Sequence, residues 1–230
     1  MAKKKKRKNY GQLIIILLMS ISIVGLLLFI GIGDYFAGSI NMKGNFKRKI
    51  DITDEVVSRV GLYLHDVQGI NVDTDYVKSY VDKVEVEADL SFEKAGIGKG
   101  TITSSINELS YQQAEEKVYH AVSDQMTDFI IERLKRMDYD TAGISVEELA
   151  IETLGMPIYD YLKKCEIDLM PGIEALNDEY GLGGEYRLKN DSLIVQNGTI
   201  QMEIPYVIKK GNLWLDVDGQ MVKYLRKEAK

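Results

Sequence analysis

Residues 184–227 read GEYRLKNDSLIVQNGTIQMEIPYVIKKGNLWLDVDGQMVKYLRK. The runs YRLKN, SLIVQ, TIQMEIPYVIKK, NLWLDVD and QMVKYLRK are separated by N-D, N-G, K-G-N and D-G, the residues that tight antiparallel turns use. The period within the runs is two. Ile200, Met202, Ile204, Tyr206 and Ile208 share one face, and Leu213, Leu215 and Val217 oppose them from the next run. The pattern predicts an antiparallel meander of four or five strands over 183–230. Pro205 has no N–H to give to a ladder, so its strand lies at an edge or is bulged there.

Working towards the N-terminus, the period lengthens. Residues 171–181 and 157–167 each read as a short helix opened by a proline, and SVEE at 145–148 is a capping box that starts another helix running to about Leu154. The longest element spans 110–137. It carries Ala114, Val118, Ala121, Val122, Met126, Phe129, Ile130, Leu134 and Met137 as a core-facing stripe. Before it, Val84, Val86, Ala88 and Leu90 alternate with charged or polar residues, and KAGIGKG leads into TITSSI, so a strand or hairpin is expected near 83–106. Helical spacing returns at 51–64, behind a Thr53 or Asp54 cap, and near Asp73. Residues 33–50 are polar, glycine-bearing and locally basic, and read as a juxtamembrane linker or first extended segment.

The N-terminal end is different in kind. Residues 3–8 are KKKKRK, and 13–32 run LIIILLMSISIVGLLLFIGI without a charge, long enough as a helix to span about 30 Å of hydrocarbon. The positive flank predicts a cytoplasmic tail at 1–12, a transmembrane helix at 13–32 and an extracytoplasmic remainder. A cleaved signal peptide is the rival reading, but the apolar run is long and no small-x-small pair follows it. With six of the 29 basic residues in the tail, the remainder sets 23 basic against 35 acidic side chains. That excess argues against nucleic acid as a partner. One cysteine, Cys165, allows no internal disulfide, and a buried structural role is expected for it.

The hairpin rhythm of the C-terminal stretch resembles that of small lipocalin-like domains of bacterial envelope proteins. The resemblance rests on turns, implies a binding or packing module and carries no ligand residue. A complete barrel needs about eight strands, more than the pattern visibly supplies, so the expected fold class is α+β, with several helices packed over 51–182 against an open C-terminal meander.

No constellation of chemistry stands out. GIGKGT at 96–101 has Glu93 where a phosphate-binding loop needs glycine and Gly100 where it needs Ser or Thr, and reads as a hairpin turn. Asp138, Asp140 and Gly143 match three positions of a calcium loop, but Ala142 and Leu149 replace two ligands. His65 and His120 lack a metal-ligand spacing. Asn190 and Asn197 fit the glycosylation sequon and also suit turns. No catalytic, cofactor-binding or metal-ligating residue is nominated, and no cofactor is expected. The functional expectation is a single-pass plasma-membrane protein with a cytoplasmic N-terminus. It is anchored in the lipid bilayer by 13–32, and its noncatalytic binding or assembly domain meets an envelope protein or wall-associated ligand. A carboxylate-dependent envelope hydrolase and a sensor domain are the alternatives.

Overall fold

A computed structural model describes residues 42–67, 69–143, 145–189 and 191–227. In chain order the elements are β1 (Gly44–Asp51), α1 (Thr53–Leu62) running into a π-helical turn (Tyr63–Val67), α2 (Thr74–Val81), β2 (Glu85–Gly96), β3 (Lys99–Ile106), α3 (Glu108–Arg136), α4 (Val146–Leu154), α5 (Ile158–Lys164), α6 (Ile173–Tyr180), and then β4 (Gly184–Lys189), β5 (Ser192–Asn197), β6 (Ile200–Lys209), β7 (Asn212–Val217) and β8 (Gln220–Arg226).

The eight strands close into an antiparallel barrel in sequential order, with β8 returning to β1. This corrects the expected open meander. The five C-terminal strands form as their turn residues dictate, but their free edges are taken up by β4 pairing with β3 and by β8 pairing with β1 through Phe46 opposite Arg226 and Lys47 opposite Leu225. Closure removes exposed ladder edges, which is the physical gain over a meander. Helices occupy the two long connections of the first half, α1 and α2 between β1 and β2, and α3 to α6 between β3 and β4.

Two hydrophobic cores result, and the first three strands serve both. On β1 Phe46 enters the barrel core while Ile50 enters the helical one. On β2 Val86 and Ala88 face the helices and Leu90 and Phe92 the barrel, and on β3 Ile106 and Ile102 divide the same way. Alternation keeps all of these on one face of the sheet. The barrel is filled by side chains including Phe46, Phe92 and Tyr186, whose rings meet edge to face at 5.9 and 5.4 Å. The helical core is built from smaller aliphatics such as Val57, Val60, Val118 and Leu162.

Local signals explain the helix ends. Asp73 caps α2 by accepting from the Tyr76 N–H at 2.7 Å, Asn107 caps α3, and Ser145 caps α4 by accepting from the Glu148 N–H. Neither residue expected to cap α1 does so. Ile52 holds that position, and the Thr53 hydroxyl is bonded to the Asp51 carboxylate.

The expectation of a single-pass membrane protein is also corrected. Among the described residues no helix is long and apolar enough to cross a membrane, and the segment 13–32, on which that expectation rested, lies outside the described residues. The bilayer as partner, the plasma-membrane location with a cytoplasmic N-terminus, and the anchoring of an envelope binding protein, hydrolase or sensor all rested on that segment, and no described helix supports them. What the structure supports is an α+β domain with a barrel core.

Candidate groove on the helical layer

The α3 stripe predicts a helix that faces a core along its whole length, and the structure divides it in two. Ala114, Val118 and Val122 are fully packed, whereas Met126, Phe129 and Ile130 are half-buried and Met137 is 58% exposed. At about 1.5 Å per residue a helix of this length reaches about 43 Å, farther than the helices beneath it extend. The uncovered half forms one wall of a groove of about 730 Å³. The other wall is the segment Gly69–Asp73 together with Tyr76 of α2.

Ile70, Val72, Met126, Phe129 and Ile130 make the floor. Tyr76 stands at the edge, its ring 6.1 Å from that of Phe129 and 5.8 Å from that of Tyr80, and its hydroxyl accepts from Gln125 Nε2 at 2.7 Å. Partial burial raises the Tyr76 pKa, helped by the carboxylates of Glu132 and Asp128, so this phenol stays protonated through the neutral range. Beneath the floor the Tyr63 hydroxyl meets the Met126 sulfur at 3.7 Å. Arg133 and Arg136 lie along the rim, Arg136 paired with Glu132 one turn earlier at 3.3 Å. The segment Gly69–Asp73 is held at both ends. The Gly69 and Ile70 amides donate to the His65 and Leu64 carbonyls, with Gly69 at a φ of +64° that favours glycine, and Asp73 is tied down as the α2 cap.

Other depressions on the helical layer are more polar or more open. One is bordered by Glu55, Asp66, Glu166 and Asp168, with Arg59 ion-paired to Asp168, and another by the ion pairs of Lys49 and Lys83 with Glu85. Among the described residues no group of three or more His, Cys, Asp or Glu side chains could hold a metal ion.

The residues weighed from sequence fall elsewhere. Ile97 and Gly98 form the β2–β3 turn. Asp140 accepts from the Ala142 amide within a turn. His120 stacks on Tyr159 at 4.2 Å, and His65 contacts its neighbour Asp66. Cys165, expected to be buried, is exposed at the end of α5, because the helix stops there and turns the residue outward. Asn190 lies outside the described residues, and Asn197 ends β5. The sequence signal for the groove was present in α3, whose stripe outruns the apolar surface available to cover it. No periodicity in 69–73 foretold its second wall.

No protein-family model, curated protein or solved structure matches this chain.

Proposed function

We propose that this domain is a binding module whose ligand is a small apolar or aromatic molecule seated in the groove between α2 and α3. The carrying observation is the uncovered half of the α3 stripe facing Tyr76, in a groove whose volume suits such ligands. An aromatic ligand gains edge contacts from Tyr76 and Phe129, and the Tyr76 hydroxyl and Asn71 supply polar groups for orientation. The segment 69–73, fixed at each end, gives a largely preformed wall, which lowers the ordering cost of binding.

The uncharged dye N-phenylnaphthylamine tests this in the full chain. Its fluorescence should rise saturably with the wild-type protein, and Met126→Glu or Ile130→Glu should weaken binding about tenfold or more while circular dichroism stays unchanged. A charge placed on the floor must be desolvated by the ligand, which sets that scale. Equal binding by the variants, or none by the wild type, would remove the groove as the site.

A further inference from the structure

The inward face of β1 runs Phe46, Arg48, Ile50, with a cation between two core residues. Its flanking lysines are matched across the ladder, Lys47 to Glu87 at 3.0 Å and Lys49 to Glu85 at 2.8 Å. Arg48 has no carboxylate or hydrogen-bond acceptor among the described residues, and its Nε is buried without a partner. Two rings hold it instead. The guanidinium carbon lies 5.2 Å from the Tyr224 centroid on β8 and 5.8 Å from that of Tyr180 on α6. The residue opposite on β2 is Ala88, whose side chain takes little space. The Tyr180 hydroxyl donates to Glu55 at 3.3 Å, so that carboxylate is already engaged.

The place in the fold matters. The β1–β8 ladder stops at Lys47 opposite Leu225, so Arg48 stands where the two strands part, at the end of the barrel nearest the helices. On the same end the β6–β7 ladder covers only Tyr206–Lys209 against Asn212–Leu215, and β6 runs on past it from Ile200 to Pro205. Pleating puts Ile200 and Met202 on the same face as Ile204, which packs against the barrel core, and Val217 on the same face as the core residue Leu215, yet the three are 63%, 38% and 38% exposed. The helices pack on the β1–β3 side of this end and leave these side chains uncovered.

We propose that this end of the barrel is a second binding site, for an apolar molecule carrying an oxyanion, with Arg48 receiving the carboxylate and the rim residues Ile200, Met202 and Val217 receiving the apolar part. A guanidinium that lies against two rings and has no carboxylate partner can take an anionic acceptor, and its planar fork matches a carboxylate. The charge complementarity is specific to this rim, because the lysines on either side of Arg48 are already neutralised. The site does not depend on the groove between α2 and α3.

Octanoate and its uncharged counterpart octan-1-ol, titrated into the full chain and followed by NMR, test it. Wild-type protein should bind octanoate about tenfold or more tightly than octan-1-ol, the scale of one charge-assisted hydrogen bond, with shifts at Arg48, Tyr180, Tyr224, Ile200 and Met202. Arg48→Met should abolish the preference. Arg48→Lys, which keeps the charge and loses the fork, should retain part of it and controls for a general loss of structure. Met202→Glu should weaken both ligands. Equal binding of the two by the wild type, an unchanged preference in Arg48→Met, or shifts confined to residues 69–76 and 126–136 would each overturn the proposal.

Discussion

The barrel core and the helical core are built on the same three strands but close in different ways. Strand pairing goes all the way round the barrel, and its interior is filled by large aromatic and aliphatic side chains. The helical layer has no such closure. Its helices are short apart from α3, its buried residues are mostly Val, Ile and Leu, and the groove opens where α3 outruns its neighbours. The difference teaches that openings arise where a periodic surface exceeds what covers it. That holds on α3, and it holds again on β6, which runs past the ladder to β7.

Because β1, β2 and β3 belong to both cores, the two should unfold together. The largest expected effect is that of Phe46→Ala, which empties a fully buried ring position in the barrel and should cost about 3–5 kcal/mol. Leu162→Ala in the helical core should cost about 2–5 kcal/mol. The single tryptophan, Trp214 on β7, reports on the barrel, and far-ultraviolet circular dichroism reports mainly on the helices. In urea each variant should move both signals to one lower midpoint. A helical transition that shifts alone in Leu162→Ala would separate the two cores into independent units.

A smaller effect, confined to the barrel, is expected at Gly100. A Cβ there would lie 1.9 Å from the Glu93 carbonyl oxygen and 2.8 Å from Tyr186 Cε1, so backbone must move to admit it. Gly100→Ala should therefore cost about 2–3 kcal/mol, read from the same unfolding curves. A neutral result would mean that the β2–β3 hairpin yields more readily than closure implies.

Most of the elements were legible in the sequence, and closure was not. The alternation of Val84 to Leu90, the turns of 184–227 and the capping residues Asp73 and Ser145 each depend on neighbours a few positions away. Closure depends on Phe46 meeting Arg226 across nearly the whole described chain, which no local period encodes. The strand β1 resembles a linker or extended segment in sequence because KGNFKRKI spreads charge over both faces, and Arg48 interrupts the inward alternation that marks a strand. The same residue carries the second proposed site, so the feature that hid the strand is also the one that points to a ligand. On β6 the period of two marks Ile204, Tyr206 and Ile208, which pack against the barrel core, and the exposure of Ile200 and Met202 on the same face follows from where a ladder ends.

Alkaline pH should probe the helical layer through Tyr119. The ring is buried, its hydroxyl donates to the Ile167 carbonyl at 2.5 Å, and burial, with Glu115 nearby, pushes its pKa up to about 12. In the unfolded chain the phenol ionises near 10. The folded state therefore favours the protonated form, so the stabilisation is complete below about pH 10 and is lost as pH rises from 10 to 12. Allowing for partial solvent screening, the loss is about 1–2 kcal/mol. Urea midpoints at pH 9 and pH 11.5 should fall less for Tyr119→Phe than for the wild type. Equal falls would assign the alkaline loss to other tyrosines, including Tyr186 and Tyr224 of the barrel, whose pKa values burial also raises.

The smallest expected effect falls on the groove itself. Asp73 ends the segment that forms one wall and begins α2, so its carboxylate fixes both the loop and the first turn carrying Tyr76. Asp73→Ala should cost about 1 kcal/mol of global stability, the usual worth of a side-chain cap. It should also speed amide exchange at residues 70–77 while leaving the barrel strands as protected as before. A cap that serves only helix stability would lower the midpoint without weakening the binding of N-phenylnaphthylamine. A wall that depends on it would weaken that binding severalfold, because the segment would then have to be ordered by the ligand. Faster exchange in the barrel as well would mean that the helical layer supports closure, reversing the dependence argued from the shared strands.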